Sequence, residues 1–274
     1  MGSTFSTADE KGRGRTAAPF VIAHRGSSAD APENTLTAFD RAIEQDGAEG
    51  LELDVHVTRD GVPIVIHDAL VCRTTDGFGN VVDKDLKDVR RLDAGYRFER
   101  AADHPYRGLG IGIPTLEEVL DRYRRTWMSI DLKEGDPYLE RAVLTLIERH
   151  GAHDRVVVSA ESPRSARRLA KMAPEVERFF DRRSARFFYL RHRGGLWWGY
   201  RPPARSLQIP VEHGGRRLDT PRLIADAHRQ GIAVRYWTVN DEATMERLID
   251  LGADGIITDR PAILRDLLVA KGLR

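Results

Sequence analysis

ELDVHVTRDGVPIVIHD, residues 52–68, is the stretch whose reading decides the fold. Two β-rich apolar runs, 50–57 and 63–67, are separated only by residues 58–62, which carry an Asp60-Gly61 turn. A parallel crossover needs about a dozen residues or more, so the two runs must form an antiparallel hairpin. Working outward, further strands are expected at 20–24, 127–132, 155–159, 176–180, 206–209, 233–239 and 255–258. Helical periodicity occupies 35–45, 115–124, 137–149, 163–171, 220–229, 242–250 and 262–270. Thr115 with Glu118 three residues later is a capping-box start for the second of these. Strands alternating with helices indicate βα units and a parallel sheet. With the hairpin's return strand set aside, eight parallel strands remain, and the expected fold is a (β/α)8 TIM barrel with the hairpin at its catalytic mouth.

Two connections are longer than usual. Residues 68–114 precede the helix at 115, and residues 181–205 join the fifth and sixth parallel strands; both are long connections read as shaping access to the mouth. Within the second, Arg182–Leu190 is read as the barrel's fifth helix, and Gly194-Gly195 leaves Trp197 and Trp198 in a loop. The polar leader 1–18 is expected to be a disordered tail, and 19–274 a single barrel domain. Formal net charge is +1, which excludes bulk attraction to nucleic acid and leaves any basic patch local. The lone Cys72 excludes an internal disulfide framework and fits a reducing, cytoplasmic location. No run approaches the roughly 18 apolar residues of a membrane span.

The chemistry-bearing residues gather at expected strand ends, which is where barrel active sites lie. Glu52 and Asp54 are two apart on a strand and so project from one face. Two carboxylates facing the barrel axis repel unless a cation lies between them. Asp131-Leu132-Lys133 repeats the spacing on the next parallel strand, adding an oxygen ligand and an ammonium. Oxygen-only ligation selects Mg²⁺ or Ca²⁺, with Mn²⁺ a third choice, over zinc. His24 and His67 are candidate acid and base, because imidazole titrates near working pH. Arg25 follows His24 and can fork onto phosphate oxygens. Asp68 either orients a ring or caps the following loop. Pro32-Glu33-Asn34-Thr35 reads as a helix start, with Glu33 or Asn34 lining the mouth as the functional alternative. Trp237 reads as core, a wall of the substrate pocket or a stack for a cationic head group. The histidines at 56, 104, 150, 153, 192, 213 and 228 are read as structural. Together these groups point to metal-assisted cleavage of a phosphate ester.

The chain resembles the glycerophosphodiester phosphodiesterases from about residue 20 to its C-terminus. The resemblance is carried by IAHRG (22–26), PENT (32–35), residues 52–68, RTTDGFG (73–79), IPTLEEVL (113–120), IDLK (130–133), WTVND (237–241) and DGIITDRP (254–261). It implies a barrel of the phospholipase-C-like phosphodiesterase type that hydrolyses glycerol-linked phosphodiesters with a divalent cation. By that likeness His24 and His67 are the acid/base pair, Arg25 and Lys133 contact phosphate, and Glu52, Asp54 and Asp131 are the metal ligands. Asp131 stands where the family commonly has Glu. Aromatics and arginines interleave through 182–203, which suits a lipid headgroup boundary. Residues 187–200 are therefore expected to touch a membrane or an acyl chain. Ser206–Pro210 also resembles the branch of the family that accepts lysophospholipids, so a lysophospholipase D-type reaction giving lysophosphatidic or cyclic phosphatidic acid stands as the alternative. A phosphate-binding barrel without activity is the contrasting reading.

Overall fold

The computed structural model describes residues 18–99, 103–160 and 162–274; the expected N-terminal tail lies outside these, save for Ala18. The first half of the chain runs β1 (Phe20–His24), α1 (Leu36–Glu44), β2 (Gly50–Val57), β3 (Pro63–Val65), α2 (Leu86–Val89), α3 (Leu116–Arg122), β4 (Trp127–Leu132) and α4 (Pro137–Arg149). It continues with β5 (Val156–Ala160), α5 (Pro163–Met172), β6 (Glu177–Arg178), α6 (Arg182–Gly194), β7 (Ser206–Pro210), β8 (Glu212–His213) and β9 (Arg216–Arg217). The last units are α7 (Pro221–Arg229), β10 (Ala233–Trp237), α8 (Glu242–Leu251), β11 (Gly255–Thr258) and α9 (Pro261–Ala270). Local chemistry explains the helix starts. Thr35, Thr115, Asp136, Ser162, Asp181, Thr220 and Asp241 each accept a backbone N–H of the first turn, and Thr115 forms the full capping box with Glu118.

Eight strands pair in parallel in the order β6-β5-β4-β2-β1-β11-β10-β7, and β3 pairs antiparallel with β2. The ring is completed between its two ends by a bridge from Phe179 to Ser206, with the Phe180 N–H donating to the Ser206 carbonyl at 3.0 Å. The chain is thus a nearly closed eight-stranded (β/α)8 barrel. Most of the apolar core lies between strands and helices, where Val21, Leu51, Leu53, Ile130, Val156 and Val234 meet residues such as Phe39, Leu120 and Leu264. Inside the ring, Phe20, Ile22, Trp127, Val157 and Ile257 form a separate cluster. A third cluster, including Ile64, Val71, Val81, Val89 and Ile113, lies beneath the 68–114 segment. That segment therefore has a core of its own above the mouth.

The structure departs from the sequence expectations in three places. The helix expected over 182–190 is present as α6, and the irregular part, 195–205, leads into the N-terminal end of β7. In a parallel barrel that end is opposite the catalytic rim, so the aromatic loop does not shape the mouth. Gly195, left-handed at φ 65°, ends α6 where a side chain would be strained. Second, β8 and β9 form an unanticipated small hairpin on the mouth side, turned by Gly214 and Gly215. Third, the hairpin register pairs Val55 with Val65, and the Ile66 N–H donates to the Asp54 carbonyl. Ile66 therefore stands opposite Asp54, and His67 begins one residue beyond.

Candidate active site

The barrel register brings the site together. His24, last in β1, pairs with Glu52 on β2, and two residues further along β2 Asp54 pairs with Asp131 on β4. Asp131 in turn pairs with Ser159 on β5. Gly26 is required immediately after His24-Arg25: at φ 84°, a Cβ there would lie 2.7 Å from the Ala38 backbone. Arg25 and Asn34 both adopt left-handed backbone at φ 57°, a conformation uncommon outside glycine that concentrates at functional sites. Their reward is position, since the Arg25 side chain turns inward and Asn34 Nδ2 donates to Asp54 Oδ2 at 2.9 Å.

Each imidazole is held by a carboxylate. His24 Nδ1 donates to Asp259 Oδ1 at 2.6 Å, and Asp259 also accepts from Ser28 Oγ and Asn240 Nδ2. Because an ionised carboxylate only accepts, the proton is on Nδ1 and Nε2 is turned to the site. It lies 3.9 Å from Glu52 Oε2. His67 Nδ1 makes the same bond to Asp68 Oδ1 at 2.6 Å, so Asp68 orients the ring. Arg73 then clamps Asp68 to Glu33, and Glu33 accepts from Arg25 Nη1 at 3.1 Å. A continuous chain of ion pairs therefore links the loop after β1 with the loop after β3.

Electrostatics separate the two neighbouring carboxylates. Burial and the charge of Asp54 push Glu52 up to about 8. Asp54 is also buried, but Lys133 and Arg25 hold it below the usual carboxylate range. Lys133 Nζ lies 2.8 Å from Asp54 Oδ1 and 2.7 Å from Asp131 Oδ2, and burial is outweighed there by both acids, which raise its affinity for its proton. Burial alone would lower His24, yet the Asp259 hydrogen bond and Glu52 raise it above its ordinary value.

No three His, Cys, Asp or Glu side chains form a preassembled metal cluster among the described residues. The donors nevertheless fit a hard divalent cation. Glu52 Oε2 is buried without a hydrogen-bond partner, and it shares one strand face with Asp54. A cation at that oxygen would relieve the charge that drives Glu52 upward. Asp131 is engaged elsewhere, accepting from Ser159 Oγ at 2.5 Å and from Lys133. Trp237 ends β10 beside Pro210, half-exposed at the rim and outside the polar network. An open cleft of about 380 Å³ runs beside His67, lined by His56, Asp68, Ala69, Leu70 and Lys133. His56, read as structural, bonds to Glu134 and to the His67 carbonyl, which places it beside the cleft.

The rim of this parallel barrel thus carries two carboxylate-held imidazoles, paired acids and inward-facing Arg and Lys. Residues 24–263 match the model of the glycerophosphoryl diester phosphodiesterase family. A glycerophosphodiester phosphodiesterase of Caldanaerobacter subterraneus subsp. tengcongensis is 38% identical over 258 residues, covering 92% of this chain and 98% of its own. A phosphodiesterase of Oleispira antarctica, solved with the product sn-glycerol-3-phosphate, superposes with a TM-score of 0.73 at 26% identity over 92% of this chain and 97% of that one. The glycerophosphoryl diester phosphodiesterase domain of a Mycobacterium tuberculosis protein shares the fold, with a TM-score of 0.82 at 23% identity over 91% and 99% of the two chains. The chain belongs to the glycerophosphoryl diester phosphodiesterase family, and it is an enzyme of that family. Sequence reading missed Asp259 and Arg73 as contributors to the site. Asp259 had a usable signal: it follows the last strand, which closure of a barrel sets beside the first.

Proposed function

We propose that the enzyme hydrolyses glycerophosphodiesters to an alcohol and glycerol 3-phosphate by acid-base catalysis between His24 and His67, with a bound divalent cation. The observation that carries this reading is the pair of imidazoles, each with Nδ1 fixed by its own carboxylate and Nε2 left for proton transfer. One imidazole takes the proton from the attacking water as its oxygen bonds to phosphorus. The other gives a proton to the departing alcohol oxygen as the P–O bond breaks. Arg25 and Lys133 turn toward the phosphate and stabilise charge that grows on its oxygens. Glu52 and Asp54 would hold the cation, with Asp131 joining them by releasing Lys133 or Ser159. Mg²⁺ or Ca²⁺, or Mn²⁺, bound there would polarise the phosphoryl oxygen and so lower the barrier to attack.

The cleft beside His67 suits the leaving alcohol, and Trp237, half-exposed at the end of β10, is assigned to the substrate's other side. The aromatic loop leads into the N-terminal end of β7 and so does not reach the catalytic rim, and the lysophospholipid alternative rests on the Ser206–Pro210 resemblance. Product analysis with glycerophosphocholine tests the reading. Choline and glycerol 3-phosphate should appear in equal amounts, stop with EDTA, and return with Mg²⁺ or Ca²⁺. A cyclic phosphate as the final product, or full activity in EDTA, would contradict it.

A further inference from the structure

The outer face of α6 and the loop that follows it carry a feature that phosphodiester chemistry does not use. Phe188 and His192 are buried, and His192 Nδ1 donates to Asp226 Oδ2 on α7 at 2.6 Å, which fixes the inward face of the helix. The opposite face exposes Phe187 and Leu190. Past the helix end the same character continues in Leu196 and in Trp198, which is 96% exposed. Residues 182–205 include Arg182, Arg183, Arg186, Arg191, Arg193, Arg201 and Arg205 but no Asp or Glu, in a chain whose net charge is only +1. All of these except Arg191 are exposed.

The loop is built rather than loose. Arg191 donates to the carbonyls of Leu196 at 2.6 Å and Trp198 at 3.3 Å, and its guanidinium stacks over Phe187 and Tyr200. Trp197 packs on Phe188 and Tyr200, so it belongs to this scaffold. Leu196 and Trp198 are thereby held out into water on a braced loop. Exposed apolar residues flanked by unopposed arginines match a surface that is apolar below and negative above.

We propose that this face docks on an anionic lipid bilayer. Arginines meet the lipid phosphates while Trp198, Leu196 and Leu190 enter the headgroup boundary. Because 195–205 precede the N-terminal end of β7, docking leaves the catalytic rim open to solution, where water-soluble diesters reach it. Binding to the bilayer and turnover are therefore separable.

Co-sedimentation with vesicles of phosphatidylcholine alone, or mixed with phosphatidylglycerol, tests this with the full chain. Binding should be at least tenfold tighter to the mixed vesicles and should weaken as salt is raised. The variants Arg186→Glu/Arg193→Glu and Leu196→Ser/Trp198→Ala should each lose at least tenfold in binding. Both should retain the wild-type unfolding midpoint and glycerophosphocholine turnover. Equal binding to both vesicle types, or unchanged binding by both variants, would overturn the proposal. So would self-association in sedimentation velocity that Leu196→Ser/Trp198→Ala abolishes while no vesicle binding is seen; the face would then join two copies of the chain.

Discussion

Asp259 shows what one side chain does for this site. It holds His24 by Nδ1 and is itself held by Ser28 and Asn240, so its geometry is over-determined. Asp259→Asn keeps the shape but presents an amide that can favour the opposite tautomer, with Nδ1 unprotonated. Its kcat should fall by about 10²- to 10⁴-fold, with KM for glycerophosphocholine changed by less than about threefold. Steady-state kinetics check this, and a variant with wild-type kcat would remove Asp259 from the orienting role. The candidates that sequence reading singled out and the fold brings near one another carry distinctive chemistry on or just past strands: His24, Glu52, Asp54, His67 and Lys133. Arg73 was opaque for a physical reason. It acts from within the 68–114 segment, 40 positions from its partner Glu33, and nothing local marks that contact.

At the scale of elements, Asp219 ties the β8–β9 hairpin to the barrel wall. It is buried, and it accepts from Arg217 beside it and from Arg247 on α8. Burial opposes its ionisation, but the two guanidiniums hold it below the ordinary carboxylate range. An acid whose folded pKa is depressed lends stability that is complete above its unfolded pKa, near 4, and is lost as pH falls through the folded value. Asp219→Asn should therefore destabilise by about 1–3 kcal/mol at pH 7, and the gap to wild type should shrink below about pH 4. Urea unfolding at both pH values measures it; a gap that does not change with pH would contradict the ion-pair account. The helix starts were legible because caps are local, as at Thr115. The hairpin itself was not, because strands of two residues leave too little alternation to read.

At the scale of the whole molecule, the ring is filled from within as well as wrapped from outside. Trp127 meets Phe20 edge-on, with centroids 5.6 Å apart, and receives the buried Arg235 guanidinium on its face at 5.0 Å. Those three residues come from β4, β1 and β10, so one side chain couples distant parts of the barrel. Trp127→Ala should lower unfolding free energy by about 3–5 kcal/mol in a single transition, measured by denaturant titration. A loss below about 1 kcal/mol would mean the interior does not depend on it. The barrel was legible from one short turn, since residues 58–62 cannot hold a crossover and the count of parallel strands drops to eight. The elements around 195–205 were legible but their consequence was not: a helix that begins right after β6 moves the irregular residues to the end opposite the mouth. The central claim is that His24 and His67 act as one acid-base unit across the Glu52–Asp54 pair. Its most direct test is the rate of glycerophosphocholine hydrolysis by wild type, His24→Ala, His67→Ala and the double variant. Each single variant should lose at least about 10²-fold, and the double should lose little more than the worse single. Either single variant retaining wild-type activity, or a double variant whose loss equals the product of the two, would contradict it.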